Sequence, residues 1–181
     1  MQRLTGALQA LFGPAGGQYI DNPNALFFNT AEQMFALADT AYPVTFNATY
    51  LSNLIALQSG STSRIEAATA GIYNFQFTGQ VLSENSSSKD IFLWIRRNGT
   101  DIPYSTRSTT IDTNNHTMPL TWSFNIDMQL GDYIELVASV TDTDLHLHAE
   151  AASAPHTGIP SGVMTVNYMS AMPATAPVLP S

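Results

Sequence analysis

The sequence contains no cysteine, which excludes disulfide bonds, thiolate metal ligands and cysteine nucleophiles. Charge is also scarce, since only 11% of the 181 residues are Asp, Glu, Lys or Arg. Six of them are Lys or Arg and the formal net charge is -8, so no nucleic-acid partner is expected. A sparsely charged surface suits a protein that is assembled with copies of itself or with a larger body.

Long apolar runs are missing as well, and no stretch reaches the roughly 20 residues that span a membrane. We therefore expect no membrane partner. The opening MQRLTGALQALFG has a short apolar run broken by Gln9 and no cleavage site typical of a signal peptide. Its apolar residues instead follow helical spacing and predict an amphipathic arm: Leu4, Leu8, Leu11 and Phe12.

The chain divides into an arm, a strand-rich body and a tail. Within residues 1–42 we predict one or two short helices; Thr30 and Gln33 resemble a capping box that opens a helix through Met34, Phe35 and Leu37. Residues 43–171 are predicted to form the body. Residues 172–181 include three prolines and are predicted to be an extended tail.

The body has the alternation of β-strands. GIYNFQFTGQV places Tyr73, Phe75, Phe77 and Val81 on one face. KDIFLWIRRNG ends in Asn98-Gly99, which is a strong hairpin signal, and carries apolar residues on both faces. Eight to ten such strands without helices between them predict an all-β fold, an antiparallel two-sheet sandwich of jelly-roll type.

The stretch DTDLHLHAE raises the question of a metal site. On a strand, Asp142, Asp144, His146, His148 and Glu150 would share one face. The two histidines would lie about 7 Å apart, which suits two ligands of one metal, but Glu150 would be too far and a third ligand would have to come from a neighbouring strand. His116 and His156 lie in turn-like sequence. An exposed polar strand face is the preferred interpretation, with no metal and no cofactor.

The sequence has no convincing catalytic motif. The pair His146 and His148 resembles the His-x-His of cupins, but Glu150 follows too closely and the second cupin motif is missing. Glycine-rich phosphate loops and a Gly-x-Ser-x-Gly elbow are absent. We therefore expect no catalytic residue and no enzyme activity.

Several motifs together resemble the jelly rolls of tumour necrosis factor and complement heads: GIYNFQF, LWIRRNG, LGDYIEL and SGVMTV. The resemblance covers roughly residues 44–170. It is closest to a phage version of this fold, in which WIRRNGTDIP, QLGDYIEL, the Asp142-Thr143-Asp144 triplet and HTGIPSGVMTV have counterparts. In that pattern the residues after the triplet vary, so His146 and His148 fit an exposed face.

The resemblance implies a homotrimer built around one sheet of each subunit. Its interface candidates lie on the strands that hold Tyr73, Trp94, Tyr133 and Tyr168. Phages use such trimers in two places, as decoration or cement on the capsid and as receptor-binding modules on tail fibres or spikes, where they recognise a host glycan or protein.

The predicted N-terminal arm favours the capsid over the tail. Burying Leu4, Leu8, Leu11 and Phe12 would contribute roughly 6 to 12 kcal/mol, while ordering a dozen residues costs as much or more. The arm therefore needs a partner surface. We expect a decoration protein on the capsid surface of the virion, docked to the major capsid protein through these four residues. No shaft, heptad or repeat of a tail fibre is visible.

Overall fold

The computed structural model describes residues 22–85, 87–112 and 116–172. Its strands, in chain order, are β1 Asn24–Asn29, β2 Gln33–Met34, β3 Tyr42–Pro43, β4 Ala48–Asn53, β5 Ile55–Leu57, β6 Ile65–Ala67, β7 Gly71–Ser83, β8 Lys89–Arg97, β9 Thr100–Asp101, β10 Arg107–Ile111, β11 Thr117–Met128, β12 Tyr133–Val140, β13 Leu145–Leu147 and β14 Gly162–Ser170. These ranges contain no helix, and hence none long and apolar enough to cross a membrane.

Among the described residues the strands form two antiparallel sheets of seven strands each. The first sheet has the order β2-β13-β7-β14-β1-β4, with β11 paired to the free edge of β7. In the second sheet the order is β10-β8-β12-β6-β5, with β9 beside β8 and β3 beside β12. The prediction of an all-β protein with two antiparallel sheets is confirmed.

One hydrophobic core lies between the sheets, as in a β-sandwich. The alternation predicted for β7 is confirmed, because Tyr73, Phe75, Phe77 and Val81 are all buried. In the second sheet the inward residues of β12 are buried in the same way: Ile134, Leu136, Ala138 and Val140. Period-two patterning therefore identifies the core side of the long strands.

The predicted hairpin at Asn98-Gly99 is also confirmed. Both residues have positive φ, 50° and 81°, as a two-residue turn between antiparallel strands requires, and Arg97 pairs with Thr100 across it. Glycine takes this conformation at no steric cost, and asparagine tolerates it better than other residues.

The helix predicted for Thr30 to Leu37 is wrong. Gln33 lies in β2 instead, and its side chain accepts the Thr45 amide at 2.8 Å and donates to Ser161 Oγ at 3.0 Å. The Thr30 amide donates to Asn47 Oδ1 at 3.1 Å. Both residues of the supposed capping box thus bond to distant parts of the chain, and these long-range contacts override the local pattern.

Residues assigned to the arm also contribute to the sheet. Strand β1 lies between β14 and β4, and its side chains Ala25 and Phe27 belong to the core. The sheet therefore begins at Asn24, well before residue 43.

An ion pair links a strand of each sheet. Arg97 of β8 donates to Asp127 of β11, with Nη2 2.8 Å from Oδ1. The hydrogen bond from Arg97 holds the pKa of the Asp127 carboxyl below its ordinary value, although partial burial acts in the other direction.

Because of this ion pair, we expect the stability of the fold to decrease at acid pH. Because the folded-state pKa of Asp127 is lowered, its contribution is present above the unfolded pKa near 3.8 and is lost as pH falls through the lower folded value. We expect Asp127→Asn to flatten the fall in melting temperature between pH 5 and pH 2, about the window in which a lowered Asp pKa acts. Circular dichroism melts measure this. Asp39→Asn removes an exposed carboxylate and is the control; it should show the wild-type dependence of melting temperature on pH. An unchanged dependence in Asp127→Asn would contradict the assignment.

Candidate functional site

Two of the predicted interface residues, Tyr73 and Tyr168, meet inside the first sheet. Their ring centroids are 5.5 Å apart in an edge-to-face arrangement. Tyr73 is 0% exposed and donates its hydroxyl to the Thr69 carbonyl at 2.8 Å. Burial raises the pKa of this hydroxyl, while the hydrogen bond with Thr69 opposes the shift. Tyr73 therefore offers no surface to a second subunit.

The other two, Trp94 and Tyr133, lie on the second sheet. Trp94 borders an open hollow of about 400 Å³ whose lining includes Phe92, Pro103 and Tyr104. Tyr104 is fully exposed and has a φ of 61°, so a large aromatic side chain is held outward by an uncommon backbone conformation. Tyr133 packs under the guanidinium of Arg64, 4.6 Å from its ring centroid. The four predicted residues therefore do not form one surface.

The capsid-docking residues Leu4, Leu8, Leu11 and Phe12 lie outside the described residues. Their role stays a prediction.

The outward face of the first sheet is free of charge over three rows of paired residues. Side chains directly opposite each other on neighbouring strands share a face. Reading across β1, β14, β7 and β11, the rows are Phe28, Val163, Thr78 and Thr121; Leu26, Thr165, Gln76 and Ser123; and Asn24, Asn167, Asn74 and Asn125. We call these twelve residues the neutral face. Its side chains are half-buried or exposed.

The second sheet differs in charge. Its outward residues on β8 include Asp90 and Arg96, beside the aromatic Phe92 and Trp94. Arg96 is paired with Asp101 at 2.7 Å, and this hydrogen bond lowers the pKa of the Asp101 carboxyl. The neutral face on the first sheet is therefore chemically distinct from the outward side of β8, which carries charge.

The triplet Asp142-Thr143-Asp144 has a structural role. Asp142 Oδ1 accepts the Asp144 amide at 3.1 Å, and the Asp144 carboxylate accepts from Lys89 Nζ at 3.2 Å. Lys89 is only 3% exposed, and it also reaches Ser83 Oγ at 3.4 Å. Asn85 donates to the same carboxylate. The triplet thus fixes the turn before β13 by neutralising a buried ammonium group.

Replacing Lys89 tests this role. We expect Lys89→Ala to lower the free energy of unfolding by about 1 to 3 kcal/mol, because Asp144 and Ser83 lose their cationic partner in a partly buried site. Arg96→Ala, which breaks the more exposed pair with Asp101, should cost less than about 1 kcal/mol. Urea denaturation compares the two variants; equal losses would show that the burial of Lys89 does not matter.

His146 does not lie on an exposed strand face, and the prediction that it does is wrong. The residue is 4% exposed, and its neighbours Leu145 and Leu147 are buried in the core. His148 is partly buried, with a side-chain exposure of 19%. Position on the outward side of β13 does not expose His146, because β2 and β7 flank this strand.

The pairing of β13 with β2 brings Glu32 to both histidines. Glu32 Oε2 lies 3.4 Å from His146 Nε2, and Oε1 lies 2.7 Å from His148 Nδ1. One ligand atom from each residue can be chosen so that all three lie within 4.8 Å of one another. The Ala149 amide donates to Glu32 Oε1 at 3.2 Å and so helps to orient the carboxylate. We call these three residues the histidine cluster.

Sequence reasoning missed Glu32 because it is 114 positions before His146, and only the β2–β13 register brings them together. The other two histidines stay apart from the cluster. His116 is exposed directly before β11, and His156 is exposed in a turn closed by its pairing with Ser153.

Comparison with known proteins gives no family assignment. No family model matches the chain, and no curated protein matches it.

Proposed function

We propose that the chain is a non-enzymatic virion structural protein, a homotrimeric decoration or cement protein on the surface of a phage capsid. Its body forms the trimer through the neutral face, and its terminal segments hold neighbouring subunits of the major capsid protein. The observation that carries the proposal is the charge-free outward face of the first sheet.

The order of strand pairing supports a jelly roll. Eight strands pair as nested couples, the first with the last: β1 with β14, β6 with β12, β7 with β11 and β8 with β10. Rolling up one long antiparallel ribbon produces these couples, and a jelly roll is a double-sheet roll of this kind. The ladders β14–β7 and β12–β8 then join the couples into two sheets.

The neutral face has the chemistry of a subunit interface. Charged residues are depleted at the centres of protein interfaces, because burying an unpaired charge is costly. The chain carries 20 charged residues, 14 acidic and 6 basic, yet none of them is among the twelve residues of this face. Exposed Thr78 and Gln76 lie on its central strand, where two further copies of the chain would cover them.

Placing the interface here keeps two of the four predicted strands and changes the contact residues on them. Strands β7 and β14, which hold Tyr73 and Tyr168, contribute half of the neutral face. Their outward residues make the proposed contact, while Tyr73 packs in the core. Trp94 and Tyr133 remain on the second sheet, away from the proposed trimer axis.

A charge on the neutral face tests the trimer. In Thr78→Glu, three carboxylates would be brought together at the interface, so we expect trimer association to weaken by several kcal/mol. Ser108→Glu is the matched control, because Ser108 is exposed on β10 of the second sheet. Native mass spectrometry at equal concentrations should give free chains for Thr78→Glu and wild-type assembly for Ser108→Glu. Dissociation of both variants to the same degree would contradict the assignment.

The virion location needs a separate test. Antibody-gold labelling of intact virions should place the protein densely over the head. In the same virions, replacing Leu8 by Asp should reduce the copies retained, because the charge would interrupt the apolar side of the proposed docking arm. Replacing Gln9 by Asp is the control for added charge beside that position. Label confined to the tail would contradict the capsid location.

The hollow beside Trp94 favours a second candidate function, a receptor-binding module on a tail fibre or spike. Exposed Tyr104 and half-buried Phe92 and Trp94 present aromatic surfaces next to the Arg96–Asp101 pair. Flat aromatic rings with polar groups beside them suit a sugar ring of a host glycan. Gold label at the tail tip would favour this function.

A further inference from the structure

The histidine cluster combines one carboxylate with two imidazoles and contains no Lys or Arg side chain. Glu32 approaches both rings, and Glu150 Oε1 lies 3.3 Å from Nε2 of His148. Among the described residues, neither carboxylate forms an ion pair with Lys or Arg. The carboxylates of Glu32 and Glu150 therefore face imidazoles without a Lys or Arg partner, partly shielded from solvent. A bound divalent cation would offset both.

The geometry at His148 points to an ion between the side chains. Its Nδ1 is 2.7 Å from Glu32 Oε1, but the approach does not have hydrogen-bond geometry, and Nδ1 has no hydrogen-bond partner. A nitrogen and a carboxylate oxygen that are close without sharing a proton can both direct lone pairs at one cation. His146 presents Nε2 to the other oxygen of the same carboxylate at 3.4 Å.

The elements that hold the three residues are well anchored. His146 belongs to β13, which pairs with β2 on one side and β7 on the other, and the His148 amide donates to the Gln80 carbonyl at 2.8 Å. Glu32 directly precedes β2 and is oriented by the Ala149 amide. The ligand atoms are therefore brought together by the fold, so little ordering is required when an ion binds.

The donor set selects the kind of cation. Two imidazole nitrogens and one carboxylate are the ligands of three-residue zinc sites, which leave a fourth position for water or another ligand. Calcium and magnesium prefer oxygen ligands alone. We propose that Glu32, His146 and His148 bind one Zn²⁺ per chain through Glu32 oxygen, His146 Nε2 and His148 Nδ1. Glu150 holds the second nitrogen of His148 in the orientation that frees Nδ1 for the metal.

The proposed ion would join two segments of the chain. Glu32 comes from the connection between β1 and β2, and the two histidines come from β13 and the residue after it. Glu150, which supports His148, lies at the bridge to Ile159. Zinc would bind the folded chain in preference to the unfolded one and raise its thermal stability. This site is independent of the proposed trimer, because the neutral face contains none of its residues.

Calorimetric titration of tag-free, chelator-treated protein with ZnCl₂ tests the proposal. We expect one Zn²⁺ per chain, no binding of MgCl₂, and a rise in melting temperature of about 5 to 10 °C at a hundredfold excess over the dissociation constant. Glu32→Gln and His148→Ala should each weaken binding at least tenfold, and Glu150→Gln about tenfold. His156→Ala should bind as the wild type does, because His156 is exposed and outside the cluster.

Two results would overturn the proposal. One is the absence of zinc binding by wild-type protein that melts cooperatively. The other is zinc binding that survives Glu32→Gln and His148→Ala but is lost in His156→Ala, which would place the ion elsewhere. If His148→Ala fails to fold, Glu32→Gln decides alone, since it keeps the size of the side chain and Glu32 is partly exposed.

Discussion

The pairing of strand β7 is the constraint on which the rest of the first sheet depends. This strand pairs with β11 along one edge and with both β14 and β13 along the other. Its inward side chains Tyr73, Phe75, Phe77 and Val81 fill the core, while its outward side chains form the centre of the neutral face. A one-residue slip in register would exchange the two faces, so the buried aromatics also specify the proposed interface.

The sequence predicts those features that depend on local periodicity. Alternation in β7 and β12 identifies the inward residues, and Asn98-Gly99 identifies a tight hairpin. Prediction from the sequence fails where contacts between residues distant in sequence determine the local structure. Gln33 has the spacing of a capping box but bonds to Thr45 and Ser161, and a strand forms where a helix was expected. A local sequence pattern does not show that long-range hydrogen bonds will compete with a helix.

The histidine cluster shows the same limit at a functional site. Spacing alone places His146 and His148 on one strand, and that much could be read from the sequence. The burial of His146 and the approach of Glu32 depend on β2 pairing with β13, which two residues of β2 specify weakly. The neutral face could not be predicted from the sequence either, because its twelve residues come from four strands and only the register of these strands places them in rows.

Scarcity of charge connects these observations to the proposed function. A chain with few charges places none in the three rows of the neutral face, places Lys89 beside Asp144, and leaves Glu32 and Glu150 facing histidines. We propose that three copies meet through the neutral face. Sedimentation equilibrium of the unmodified chain tests this most directly: we expect a particle of three times the 19.6 kDa chain mass, and a particle of one chain mass at micromolar concentration would contradict the proposed trimer.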